Sequence, residues 1–155
     1  MALPDAPTVH EDRDRLTATA VVDAPAAAIF DYLRQPANHQ AISGDGTVRG
    51  VYDGPQRLEL ASRFGLRMRV GVPYRVHSTV VEFEPDRVIA WQHFGGHVWR
   101  WTLGPIDDGH TTVSETFDLS TSRFPAGLRV IGYPARHRTN ITTSLANLKR
   151  LVEQP

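Results

Sequence analysis

Along most of this chain the apolar residues recur with period two, and only two stretches carry them at helical spacing. The clearest alternation runs Trp99-Arg-Trp-Thr-Leu103, breaks at Pro105-Ile-Asp-Asp-Gly109, and resumes as Val113-Ser-Glu-Thr-Phe-Asp-Leu119. This pattern predicts two strands joined by a hairpin turn with glycine at its end. Pairing Ile106 with His110 sets Leu103 opposite Val113, Trp101 opposite Glu115 and Trp99 opposite Phe117. One face of the hairpin then carries two indoles, further apolar side chains and a single carboxylate, Glu115. A bare charge in a dry interior is costly, so Glu115 must be paired, solvated or protonated. It is either a strand-end residue near water or part of a cavity that receives something.

The same reading extends along the chain. Leu16, Ala18, Ala20 and Val22 alternate as a first strand. Asp23-Ala-Pro25 ends it and opens a helix over Ala26–Leu33, with Asp23 or Ala24 as its cap and Ile29, Phe30 and Leu33 on one face. Pro36 interrupts that helix, and a second short helical turn covers Pro36–Ala41. Strands follow at Thr47–Tyr52, at Leu66–Val72, and in a meander of Tyr74–Glu84, Arg87–Phe94, Val98–Leu103 and Thr111–Leu119. Their short connections favour antiparallel neighbours. A short helix is expected at Leu128–Ile131. Pro134 then opens the longest helix, to about Glu153, with Arg138, Ile141, Leu145, Leu148 and Val152 at helical spacing. The prediction is an α+β fold: a curved antiparallel sheet wrapped around the C-terminal helix, with two short helices after the first strand. Residues 1–12, polar and proline-containing, read as a flexible tail, leaving 13–155 as one ligand-binding domain.

Composition narrows the function classes. The 155 residues include 17 Lys+Arg, 17 Asp+Glu and no cysteine. Balanced charge gives no field to recruit nucleic acid. The absence of cysteine removes disulfides, thiol nucleophiles and thiolate zinc sites. No stretch approaches the roughly 20 apolar residues that span a bilayer, and the first residues do not form a secretory signal. The expectation is a cytoplasmic protein, monomeric or homodimeric, with no integral membrane association, no metal and no cofactor. No P-loop, dinucleotide fingerprint or nucleophile elbow is present.

The candidate chemistry is therefore sparse. Trp99, Trp101, Phe117 and Tyr74 are the aromatic candidates for a cavity wall, and Ile141 is an apolar one from the long helix. Glu115 is the polar candidate, as a ligand partner or proton carrier. Arg138, on the helix stripe, faces either Glu115 or an anionic ligand head, or else extends to water. His77 shares strand parity with Thr79, Val81 and Phe83, which places it inside as a second acid/base candidate. His137 and Tyr133 border the same region. His93 and His97 flank a glycine turn without a convergent third ligand for zinc. Two-residue turns around Arg87–Phe94 put Val88, Ala90, Gln92 and Phe94 inside; three-residue loops put Ile89, Trp91 and His93 there.

The element order, together with Val22-Asp-Ala-Pro25, Val80-Val-Glu-Phe-Glu-Pro85, Ile89-Ala-Trp91, Gly96-His-Val-Trp-Arg-Trp101 and Gly109-His-Thr-Thr-Val113-Ser-Glu-Thr116, resembles the START-like (SRPBCC) superfamily. That group includes polyketide cyclase/dehydrase-like and lipid-transfer-like proteins, and the resemblance covers nearly the whole chain. It implies a helix-grip fold with an internal pocket for a small hydrophobic or amphipathic molecule. Three functions stay open: a binding module for such a ligand, a polyketide cyclase or dehydratase using the same pocket, and a structural or regulatory partner with a filled core.

Overall fold

The computed structural model describes residues 6–122 and 133–153, with side chains from 137 onward in the second segment. Its strands are β1 (Thr8–Glu11), β2 (Arg15–Val22), β3 (Val48–Asp53), β4 (Arg63–Val70), β5 (Val72–Glu84), β6 (Val88–Gln92), β7 (Val98–Asp107) and β8 (His110–Asp118). Helix α1 (Ala26–Leu33), a 3-10 turn (Pro36–Asn38) and the one-turn α2 (His39–Ile42) follow β2, and α3 (Tyr133–Glu153) comes last. The strands form one antiparallel sheet in the order β1-β2-β8-β7-β6-β5-β4-β3. The architecture is the expected α+β helix grip.

Period-two burial builds the core. Leu16, Ala18, Ala20 and Val22 of β2 are buried with Val113 and Phe117 of β8 and Trp101 and Leu103 of β7. Ile141, Leu145 and Leu148 of α3 are fully buried in the same cluster. Each such aliphatic side chain contributes roughly 2 kcal/mol by leaving water. Ile29, Phe30 and Leu33 add the inner face of α1, which starts at Pro25 without a side-chain cap from Asp23 or Ala24. Among the described residues no helix is long and apolar enough to cross a membrane.

The β7–β8 register is the predicted one: Leu103 faces Val113, Trp101 faces Glu115 and Trp99 faces Phe117. Only the turn differs, because a register shift after Pro105 pairs Asp107 with His110.

Other expectations are corrected. Thr8–Glu11, read as tail, is a strand paired with Leu16–Thr19; four residues of weak pattern gain their order from the neighbouring ladder. The fourth strand stops at Val70, because Gly71 turns the chain at φ +73° and Val72 pairs back onto Val70. His77 does not face inward. A bulge between Val80 and Glu82 reverses the parity of β5, so Ser78 and Val80 share the inner face with Phe83 while His77 lies on the outer one. Glu84 pairs with Val88 across Pro85-Asp86-Arg87, so Ile89 and Trp91 point inward. The short helix expected at Leu128–Ile131 and the side chain of Tyr133 lie outside the described residues.

Candidate functional site

The inner face of the sheet does not meet α3 everywhere. Between Trp91, Trp99 and Trp101 on the sheet and Asn140 and Ser144 on the helix lies a cavity of about 110 Å³. Trp91 of β6 sits opposite Trp99 of β7, and Trp101 sits beside Glu115, so alternate rungs supply three indoles to one wall. Leu66 and Met68 of β4 continue it, and His39, Ile42, Ser43 and Gly44 form the lip. Gly44 is required there: a Cβ would lie 2.8 Å from the Ser144 nitrogen, so only bare backbone lets the loop rest on α3.

Glu115 is the one carboxyl lining this space, and it is 5% exposed. Ser144 Oγ bonds its Oε2 across the gap, and the same hydroxyl lies 3.3 Å from the Ile141 carbonyl. Burial pushes the Glu115 pKa up to about 8, and the Ser144 bond offsets only part of that rise. At neutral pH the group is a neutral acid with a proton to donate.

The neighbouring imidazoles are neutral too. His39 donates Nε2–H to the Leu33 carbonyl at 2.9 Å and stacks on Trp91 with ring centres 4.8 Å apart. Burial lowers its pKa to about 4. His93 Nδ1 lies 2.8 Å from Ser78 Oγ. Burial, reinforced by repulsion from His97, His137 and His39, holds His93 at about 3. Among the described residues, the inner cavity therefore carries no formal charge near pH 7.

A wider chamber of about 290 Å³ opens from the first, sharing Thr47, Met68, His93, Trp99 and Asn140. Val70, Tyr74, Val76, Phe94, His97 and His137 also line it, and Asp45 and Gly95 stand at its border. The His137 ring lies 4.5 Å from Phe117 and 5.2 Å from Trp99, so the helix end is packed onto the aromatic wall.

Of the residues proposed from sequence, Trp99, Trp101 and Glu115 converge on the inner cavity, and Tyr74 lines the outer chamber. Phe117 backs Trp99, with ring centres 4.5 Å apart, and Ile141 packs in the core; neither lines either chamber. Arg138 and His77 are not brought to the site. Arg138 points to solvent and pairs with Glu11 of β1 at 3.0 Å. His77 bonds the Tyr52 hydroxyl and Asp53 on the outer face. Sequence reasoning missed Ser144 and His39. Ser144 carried a signal, since it is a small polar residue three positions after Ile141 on the buried stripe. His39 had none, because its burial depends on where the 3-10 turn delivers it. Among the described residues no three His, Cys, Asp or Glu side chains are grouped to hold a metal ion.

Residues 13–153 match the family described as polyketide cyclase/dehydrase and lipid transport. An uncharacterised protein of Mycobacterium tuberculosis, Rv0088, is 32% identical over 162 aligned positions that cover 94% of this chain and 72% of the relative. Among solved structures, the Mycobacterium smegmatis protein Ms6760 superposes with a TM-score of 0.69 at 16% identity, covering 94% of this chain and 97% of that one. The polyketide-cyclase-like Cgl2372 of Corynebacterium glutamicum reaches 0.61 at 18% identity, covering 92% and 94%. At these identities the structural likeness is one of fold.

Proposed function

Since this chain belongs to the polyketide cyclase/dehydrase and lipid transport family, we propose that it binds one small, uncharged, mostly apolar molecule between the sheet and α3. The observation that carries this reading is Glu115: a carboxyl 5% exposed on the wall of an aromatic cavity, bonded by the Ser144 hydroxyl and, among the described residues, facing no cation, so that burial raises its pKa. Such a wall excludes ionic head groups by desolvation, while one acid proton rewards a carbonyl or hydroxyl oxygen on the ligand. The inner cavity is of the order that accepts a single aromatic ring, since about 150 Å³ holds benzene in other proteins. A longer ligand would extend into the outer chamber. On this reading the protein works in the cytoplasm, as a monomer or homodimer, without a nucleic-acid partner.

Catalysis is the second reading, and Glu115 is what favours it. An acid with a pKa of about 8 is matched to proton donation near neutral pH, as closure of a polyketide-like carbonyl compound requires. Its weakness is the base. His93, the imidazole common to both chambers, is held at about 3 and takes up protons poorly. Binding is therefore the better supported function.

The test is a titration of tryptophan emission with a series of apolar ketones and alcohols of rising length. Affinity should rise with buried apolar area, at about 25 cal/mol per Å², until the space is filled. Glu115→Leu should weaken ketones by about tenfold, one charge-free hydrogen bond, and leave the matching hydrocarbons unchanged. A response indifferent to the oxygen would remove Glu115 from the site. No response to any apolar ligand would refute the binding reading.

A further inference from the structure

The β4–β5 hairpin lies beside the outer chamber and carries two features that the inner cavity does not use. Its tip is apolar and exposed: Val72 is 69% and Val70 42% exposed around Gly71, and Tyr74 is 43% exposed. Phe94, from the β6–β7 turn, is 86% exposed and rims the same chamber as Val70 and Tyr74. Lone exposed apolar residues are ordinary, but three on one chamber rim, with Val72 paired to Val70 at the hairpin tip, form a patch.

Immediately behind the tip the outer face is cationic. Arg67 pairs with Arg75 and Arg69 with Pro73 on alternate rungs, and Arg49 joins them around one hollow. Arg67 and Arg75 both lie over the Tyr52 ring, at 5.9 and 4.9 Å, which holds their guanidinium groups on this face. Among the described residues no carboxylate lies within ion-pair distance of any of the four arginines. Asp45, the acid at the chamber rim, is turned to its own loop, where it accepts the Thr47 backbone N–H at 3.0 Å. A chain with no net charge has thus gathered unneutralised cations at one corner.

We propose that this corner docks on an anionic lipid surface, with Val70, Val72, Tyr74 and Phe94 entering the interface and the arginines meeting the headgroups. Charge complementarity selects an anionic partner. The protruding aliphatic tip selects a bilayer over a nucleic acid or a free anion, because neither of those offers an apolar layer to receive it. Docking in this orientation sets the chamber mouth against the lipid. The proposal does not depend on what the inner cavity binds.

The experiment is co-sedimentation of the full chain with vesicles of phosphatidylcholine plus phosphatidylglycerol, and with phosphatidylcholine alone. Binding is expected on the anionic vesicles only, and it should fall as salt is added. Replacing Arg69 and Arg75 together by glutamine should lower the partition coefficient about twenty-five-fold, at about fivefold for each arginine. Val72→Asp, which keeps every arginine, should lower it by on the order of tenfold. Both sets of positions are exposed; if a thermal melt shows a folding defect, Phe94→Ser replaces Val72→Asp, and Arg49→Gln with Arg69→Gln replaces the arginine pair. Equal binding to neutral and anionic vesicles, or partitioning unmoved by the arginine pair, overturns the proposal. So does tighter binding to a single-stranded RNA oligonucleotide that Val72→Asp leaves unchanged, which would assign the corner to nucleic acid. Tryptophan titrations without vesicles report on the cavity separately, so failure of one reading is distinguishable from failure of the other.

Discussion

Two carboxyl groups three residues apart on β8 are both buried, yet they titrate in opposite directions. Glu115 faces α3 and is pushed up to about 8 by burial, with only the Ser144 hydroxyl opposing the rise. Asp118 faces the outer side of the sheet. Burial acts on it in the same sense, but bonds from the Ser120 hydroxyl and N–H, from Arg100 and from Arg15 outweigh it and hold the pKa below the usual range. Arg100 also reaches Glu82, so the outer face carries a continuous chain of alternating charges across β2, β8, β7 and β5. Removal from water does not decide whether an acid is charged. The partners do: the Ser120 hydroxyl and N–H together with two guanidiniums keep one carboxylate ionised, while a single hydroxyl leaves the other protonated and available to a ligand.

The comparison is broken most sharply at Asp118. Asp118→Asn should cost about 2–3 kcal/mol, read as a shift in urea midpoint, because it leaves Arg100 and Arg15 without their shared charge. A loss as small as that of an exposed pair would mean that water already screens the outer network. Glu115 makes the second, pH-dependent test. Its folded pKa is raised, so its favourable contribution is complete below about 4.5 and is lost as pH climbs through about 8. Relative to Glu115→Gln, wild-type stability should fall by about 1.4 kcal/mol per pH unit across that window. His39 runs the other way, losing stability as pH falls from 6.5 towards about 4. Both proteins share it, so the difference isolates the carboxyl. The smallest effect belongs to the exposed Arg138–Glu11 pair: Arg138→Ala should change stability by no more than about 0.5 kcal/mol and leave ligand affinity unaltered.

The β7–β8 hairpin was readable because its alternation runs unbroken from Trp99 to Leu103 and from Val113 to Leu119, so one assumed turn set every facing pair. On β5 the same logic misplaced His77, because a bulge adds a residue that no local composition announces. Arg138 took the last of its three alternatives, extending to water, for a different reason. It sits at the edge of the apolar stripe, and its true partner lies on β1, a strand too short and too weakly patterned to be seen. His39 was unreadable because its place depends on a tertiary delivery by the turn before it. Sequence thus exposed the sheet wall of the site, whereas the lip and the helix side required packing.

The brevity of β1 also bears on how copies of the protein behave towards one another. Strand β2 has eight residues in clean alternation and, without β1, would present a long open ladder of N–H and C=O groups. β1 occupies half of that ladder with four largely exposed, polar-flanked residues, too few to template another strand. At the opposite border β3 is interrupted by two register shifts, which distort the ladder offered there. Both borders are thus blunted against edge-to-edge polymerisation. Deleting the residues before Asp12 would convert the first of them into an adhesive seam, a liability that arises far from the cavity and independently of anything bound inside it.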